Sequence, residues 1–93
     1  MISFIEFAEF KFEFYATGPA DSLCEKGMID NPLECEKAAN QLNFHFETDE
    51  EVPNVPGGCY MWQDVEVSYY VYFNKNLNGT SCESCRPICG QGK

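Results

Sequence analysis

The sequence predicts a small α+β fold in which one helix packs on an antiparallel sheet and disulfide bonds join the two. Three observations predict it: an alternating apolar and charged stretch at the N-terminus, one helix with clear start signals, and six cysteines in 93 residues. A chain this short buries only a marginal core, so covalent cross-links are expected. We divide it into a β-strand at 1–16, a hinge at 17–22 and a disulfide-stabilised domain at 23–93.

The N-terminal stretch has the pattern of a long β-strand. Phe10, Phe12 and Phe14 alternate with charged residues, and Phe4 and Phe7 precede them. A long aromatic strand with an open edge aggregates unless another segment covers it, and a groove in a neighbouring copy is one such cover. We therefore expect this strand to be donated to a neighbouring subunit.

A turn and a helix follow the strand. Gly18 and Pro19 mark the turn, which would let the strand leave its own domain. Asn31 is the predicted N-cap, Pro32 stands at the first helical position, and Glu34 comes three residues after the cap. Asn43 is a predicted C-cap. The face that would pack on the sheet consists of Cys35, Ala38, Ala39 and Leu42.

The remaining strands are predicted at 44–47, 59–63 and 68–74, where apolar and polar or aromatic residues alternate. Residues 64–67 fit either a hairpin loop or an extension of the second of these strands. In the last strand Tyr69, Val71 and Phe73 lie on one side, with further aromatic residues on the other. Both sides of that strand are therefore expected to be covered.

Two segments are predicted to be loops. Residues 48–58 are acidic and contain two prolines and paired glycines, which disfavour regular structure. The tail at 75–93 has three cysteines and little apolar content. We expect disulfides, rather than packing, to order the tail.

The composition limits the possible partners. The formal net charge of −9 repels phosphate backbones and anionic lipids, so binding to nucleic acid or to a membrane surface is disfavoured. No apolar run approaches the roughly 20 residues that span a bilayer, so no membrane insertion is expected. The N-terminus lacks the pattern of a secretory signal, and we expect the chain to be a mature or incomplete product.

The cysteines are expected to form three disulfides in an oxidising, extracellular compartment. Spacing does not fix their pairing. We expect Cys35 to bond to the central segment or the tail, and Cys82 or Cys85 to bond to Cys89. A zinc site built from Cys82, Cys85, Cys89 and His45 is the alternative, although the paired spacing of zinc knuckles is missing. The six residues are Cys24, Cys35, Cys59, Cys82, Cys85 and Cys89.

The remaining motifs predict a glycosylation site but no catalytic or calcium site. Asn78-Gly79-Thr80 is an N-glycosylation sequon in a predicted loop, so Asn78 is a candidate to carry an N-linked glycan. No nucleophile and base pair is present, so we expect no enzyme activity, and no cofactor is implied. The acidic cluster predicts a solvated loop more readily than a calcium site, because the calcium-loop spacing is absent; its members are Glu47, Asp49, Glu50 and Glu51.

The aromatic run is open to two interpretations. It could stack on sugars, as in small lectin-like modules, or it could form core on one side and a protein contact on the other. Its members are Tyr60, Trp62, Tyr69, Tyr70, Tyr72 and Phe73.

The sequence contains, in order, Cys24, Gly27 and Ile29, the segment CEKAA with Leu42, the segment PGGCY, and VYFN with a closing cysteine cluster. In these features residues 23–89 resemble a small cysteine-rich extracellular domain of algal, protist and other microbial secreted proteins. The resemblance implies no catalysis. Residues 1–16 are similar in pattern and position to the donor strand of pilin-type fibre subunits, whose immunoglobulin-like body this chain does not share.

These patterns predict a structural subunit of an extracellular, glycosylated fibre, assembled head to tail from identical subunits. The alternatives are a monomeric secreted binding module, lectin-like or inhibitor-like, and an acidic effector that acts through 48–58. The expected subunit interface consists of Phe4, Phe7, Phe10, Phe12, Phe14, Tyr69, Val71 and Phe73.

Overall fold

One helix lies on one side of a five-stranded sheet. The computed structural model describes residues 14–63 and 69–91. The strand order is β1-β5-β3-β4-β2. This confirms the predicted α+β class with one helix on a small sheet. The elements are β1 (Phe14–Thr17), α1 (Pro32–Gln41), β2 (His45–Glu50), β3 (Gly58–Gln63), β4 (Tyr69–Asn74) and β5 (Cys85–Gln91).

The sheet is mixed, so the prediction of a purely antiparallel sheet is wrong. β2 runs parallel to β4, while the other three pairings are antiparallel. Because β2 and β3 lie on either side of β4, the loop at 51–57 that joins them must cross the end of β4. β2 also extends to Glu50, so residues 48–50 are strand rather than the predicted loop.

The helix begins where its N-cap predicts, but its C-cap is Leu42 and not the predicted Asn43, which is the next residue. The side chain of Asn31 accepts a hydrogen bond from the backbone N–H of Glu34 at 2.8 Å, and Pro32 is the first helical residue. At the other end Asn43 adopts a φ of 63° and its N–H donates to the carbonyl of Asn40. Asparagine tolerates this left-handed conformation, which turns the chain towards β2.

The core lies between the helix and one face of the sheet. The predicted helix face is confirmed, because Cys35, Ala38 and Ala39 are buried and Leu42 packs against them. The sheet residues that meet this face are Cys59, Met61, Val71, Phe73 and Ile88. Alanines at the contact let the helix approach the sheet closely.

Three disulfides connect the elements, as predicted, and no free cysteine is present among the described residues. Cys35 bonds to Cys59, which confirms the predicted link from the helix to the central segment. Cys24 bonds to Cys89, and Cys82 to Cys85.

The predicted bond between Cys82 or Cys85 and Cys89 is wrong because the second part of the tail is a strand rather than a loop. Residues 85–91 form β5, which lies between β1 and β3. In an extended strand, residues 85 and 89 are about 13 Å apart, which is too far for a disulfide. Cys24 instead reaches Cys89, because the neighbouring backbone at Met28 pairs with Cys89.

β1 belongs to the sheet of its own chain. Its residues pair antiparallel with β5, and Tyr15 is buried in the core with its hydroxyl 3.2 Å from a carboxylate oxygen of Glu34. The predicted donor strand overlaps β1 at residues 14–16, and the predicted hinge overlaps it at Thr17. Phe4, Phe7, Phe10 and Phe12 lie outside the described residues. Within the described part of the chain, no helix is long and apolar enough to cross a membrane.

Candidate binding site on the open face of the sheet

Strand alternation gathers aromatic side chains on the sheet face opposite the helix. In β3, Cys59 and Met61 belong to the core beneath the helix. In β4, Val71 and Phe73 do the same. Since neighbouring side chains on a strand point to opposite faces, the residues between them lie on the other side of the sheet. We call this cluster the open face; it consists of Tyr60, Trp62, Tyr70 and Tyr72.

Cross-strand pairing arranges the four rings. Tyr60 is paired with Tyr72, and Trp62 with Tyr70. The rings of Tyr60 and Tyr72 are stacked, with centroids 5.7 Å apart and planes 21° from parallel. His45 of β2 meets the ring of Tyr70 edge-on, at 5.9 Å between centroids. The strand register therefore builds a continuous aromatic surface across three strands.

This surface is only partly covered. Tyr60 is 3% exposed, whereas Trp62 and Tyr70 are 38% and 37% exposed. Aromatic side chains that keep this much surface in contact with water are typical of contact sites, because their burial against a partner is favourable.

A cleft of about 290 Å³ lies beside the rings. The loop at 51–57 supplies one wall and the aromatic residues supply the other. Among residues 14–63 and 69–91, Glu50, at the end of β2, is the one charged residue that lines it. The lining consists of Glu50, Val52, Asn54, Val55, Tyr60, Trp62 and Tyr72.

Glu50 is held in the cleft by a tyrosine. The hydroxyl of Tyr60 donates a hydrogen bond to a carboxylate oxygen of Glu50. Burial, this hydrogen bond and the charge of Glu50 together raise the pKa of Tyr60 far above its usual range. Burial, with the charges of Glu47 and Glu50, also raises the pKa of Tyr72. Tyrosine is neutral at physiological pH, and the raised pKa values keep both phenols protonated at higher pH too, so Tyr60 serves as a hydrogen-bond donor.

The raised pKa of Tyr60 predicts a loss of stability in alkali. Above pH about 10 the unfolded chain releases the tyrosine proton while the folded protein keeps it, so unfolding becomes more favourable as the pH rises. Urea unfolding at a series of pH values measures this slope. In Tyr60→Phe the slope should be shallower, and at neutral pH the variant should lose about 1 kcal/mol for the missing hydrogen bond. Identical alkaline slopes for the two proteins would contradict this prediction.

A buried asparagine fixes the loop wall of the cleft. The side-chain oxygen of Asn74 accepts hydrogen bonds from the backbone N–H groups of Val52 and Asn76, at 3.0 and 3.1 Å. Its amide nitrogen lies 2.9 to 3.2 Å from the carbonyl oxygens of Val52, Val55 and Pro56. Asn74 is fully buried at the end of β4, where the loop crosses. Asn74 is therefore the main anchor of the cleft wall, and the turn at 75–80 adds weaker contacts to the same loop.

The acidic cluster is divided by the fold. Glu47 pairs with His45 at 3.0 Å, and Asp49 pairs with Lys75 at 3.5 Å, while Glu50 faces the cleft. Across residues 14–63 and 69–91, no three or more histidine, cysteine or acidic side chains are grouped to hold a metal ion.

The predicted interface residues are dispersed. Val71 and Phe73 are buried beneath the helix, at 0% and 3% exposure, and so offer no surface to a neighbouring copy in this fold. Phe14 and Tyr69 lie in β1 and β4, on strands that are not neighbours.

The sequence had indicated the aromatic run, and the structure brings four of its members onto one surface. It had not indicated Glu50 as a cleft residue, or Asn74 at all, because both roles depend on where the loop crosses β4.

Comparison of the chain with protein-family models, with curated proteins and with solved structures finds no match. The resemblance of residues 23–89 to small cysteine-rich extracellular domains therefore stays a prediction.

Proposed function

We propose that this protein is a secreted binding module whose site is the open face and its cleft. The observation that carries the proposal is that Trp62 and Tyr70 keep more than a third of their surface exposed beside a preformed cleft. The rings need no rearrangement to receive a partner, because strand register and the Asn74 hydrogen bonds already hold both walls.

An extracellular location fits this function. Three disulfides in a short chain are typical of proteins that fold in oxidising compartments. The sequon also has an accessible geometry, since Asn78 and Thr80 are exposed while Gly79 is buried between them. A Cβ atom at Gly79 would lie 2.0 Å from the carbonyl oxygen of Val55, so only glycine fits there. We propose that Asn78 carries an N-linked glycan.

Removing the exposed rings should abolish binding without unfolding the protein. The test compares the wild-type chain with Trp62→Ser/Tyr70→Ser on arrays of immobilised basic peptides and glycans. Leu33→Ser is the matched control, because Leu33 is 80% exposed on the helix, away from the sheet's open side. Ligands that bind the wild type and the control but not the double variant support the proposal. Ligands that bind all three proteins equally contradict it.

A fibre subunit is the second candidate function. It is favoured by the position of β1 at the edge of the sheet. The outer side of an edge strand carries unpaired backbone N–H and C=O groups, which can hydrogen-bond to a strand of another chain. In this proposal residues 1–13 join identical subunits head to tail. Negative-stain electron microscopy of the full chain should then show filaments of uniform width, and an added peptide of residues 2–15 should prevent their assembly. A monodisperse monomer excludes this candidate.

A further inference from the structure

We propose that the cleft binds a cationic side chain, arginine or lysine, presented by a partner protein. This inference rests on the proposed function and identifies the chemistry of its ligand. It follows from the placement of one carboxylate against three aromatic rings in a cleft of about 290 Å³.

The charge of the cleft is negative and is not neutralised within the described residues. Lys75 pairs with Asp49 and the imidazole of His45 contacts Glu47, but among residues 14–63 and 69–91 no cation pairs with Glu50. The whole chain carries a formal net charge of −9, which attracts basic partners over a longer range. Glu50 is therefore the group for which a bound cation would supply the missing counter-charge.

The aromatic walls favour the same ligand. The face of an aromatic ring is electronegative, and it attracts a guanidinium or ammonium group within about 6 Å of its centre. Trp62 and Tyr72 both line the cleft with Glu50. Tyrosine is neutral at physiological pH, and the raised pKa of Tyr72 keeps its ring a neutral phenol at higher pH as well. A cation between these rings and the carboxylate gains from both interactions at once.

Tyr60 positions the carboxylate. It is almost fully buried and donates its hydroxyl hydrogen to Glu50, so the carboxylate is held against the aromatic wall instead of extending into water. This fixed geometry lowers the entropy that binding would otherwise cost. Because the Tyr60 hydroxyl already donates to Glu50, it is not available to donate to a sugar hydroxyl. The cleft is also small, and its size suits one side chain better than an oligosaccharide.

The test uses the full chain and three probes: a short arginine peptide, the same peptide with neutral citrulline in place of arginine, and a chitin trisaccharide. Titrations are followed by NMR, with the Trp62 indole as reporter of the site. We expect the arginine peptide to shift the resonances of Trp62 and Tyr72, and the citrulline peptide to bind at least about tenfold more weakly.

Two matched variants separate the effect of Glu50 from overall charge. Glu50→Gln keeps a hydrogen-bond acceptor for Tyr60 while removing the charge, and Glu51→Gln removes one charge from an exposed neighbour that does not line the cleft. Affinity for the arginine peptide should fall about tenfold in Glu50→Gln and change less than about twofold in Glu51→Gln.

The outcomes distinguish this inference from the proposed function. If the trisaccharide shifts the Trp62 and Tyr72 resonances and the arginine peptide does not, the cationic ligand is overturned while the binding module stands. Equal binding of the arginine and citrulline peptides, or equal losses in both variants, also overturns it. If the array experiment finds no ligand that needs Trp62 and Tyr70, the proposed function itself fails.

Discussion

Replacing both Cys35 and Cys59 by alanine is expected to lower the free energy of unfolding by at least about 3.5 kcal/mol. That figure is the loop entropy that the cross-link removes from the unfolded chain across 24 residues of separation. Both cysteines are buried between helix and sheet, at 0% and 1% exposure, so truncation also leaves a cavity in the core. Urea unfolding of the oxidised proteins measures the loss.

The matched control removes the shortest cross-link. Cys82→Ala/Cys85→Ala opens a bond between residues only three apart in sequence, so the same entropy relation gives a loss of about 2 kcal/mol. Cys35→Ala/Cys59→Ala should therefore unfold at a clearly lower urea concentration than Cys82→Ala/Cys85→Ala. The opposite order would show that the bond between helix and sheet is not what holds the core together.

Replacing Asn74 by alanine is expected to lower the free energy of unfolding by about 3 kcal/mol, because several buried or part-buried backbone groups lose their partner at once. The Val52 N–H and the carbonyl oxygens of Val55 and Pro56 all depend on this side chain. The variant should also lose affinity for any ligand of the cleft, since its loop wall is no longer fixed. Urea unfolding and the NMR titration measure the two losses separately.

Asn54→Ala is the control for this second prediction. Asn54 lines the same cleft from the same loop but is exposed, so its replacement should change stability by less than about 0.5 kcal/mol. If Asn74→Ala were as stable as this control, the loop would have to be held by other contacts. The close packing of the loop at 51–57 against the turn at 75–80 would then be the contact that holds it.

At the end of β4, the same contacts determine the stability of the loop and the shape of the proposed binding cleft. The aromatic wall of the cleft belongs to β3 and β4, whose other face packs into the core. The loop wall contributes no residue to the hydrophobic core cluster, and is anchored mainly by Asn74 and the neighbouring turn. We expect ligand affinity to be more sensitive to changes in the loop than to changes in the helix.

The sequence by itself determined the features that depend on neighbouring residues. The helix at Pro32–Gln41 was predictable because a capping asparagine, a proline and a glutamate act within one turn. The aromatic alternation of β4 was predictable because side-chain direction in a strand has a period of two. Oxidised cysteines were predictable from their number in so short a chain.

Only the tertiary structure decided the features that depend on distant residues. β5 carries little apolar alternation, and it is a strand because β1 and β3 hydrogen-bond to its two sides. The bridge between Met28 and Cys89 brings Cys24 to Cys89, and the pairing of β2 and β3 with the two sides of β4 brings Glu50 to Tyr60. The packing of the helix on one face of β4, and not the alternation itself, determined which aromatic face stayed exposed. A local pattern shows that two faces exist, but only packing determines which one water reaches.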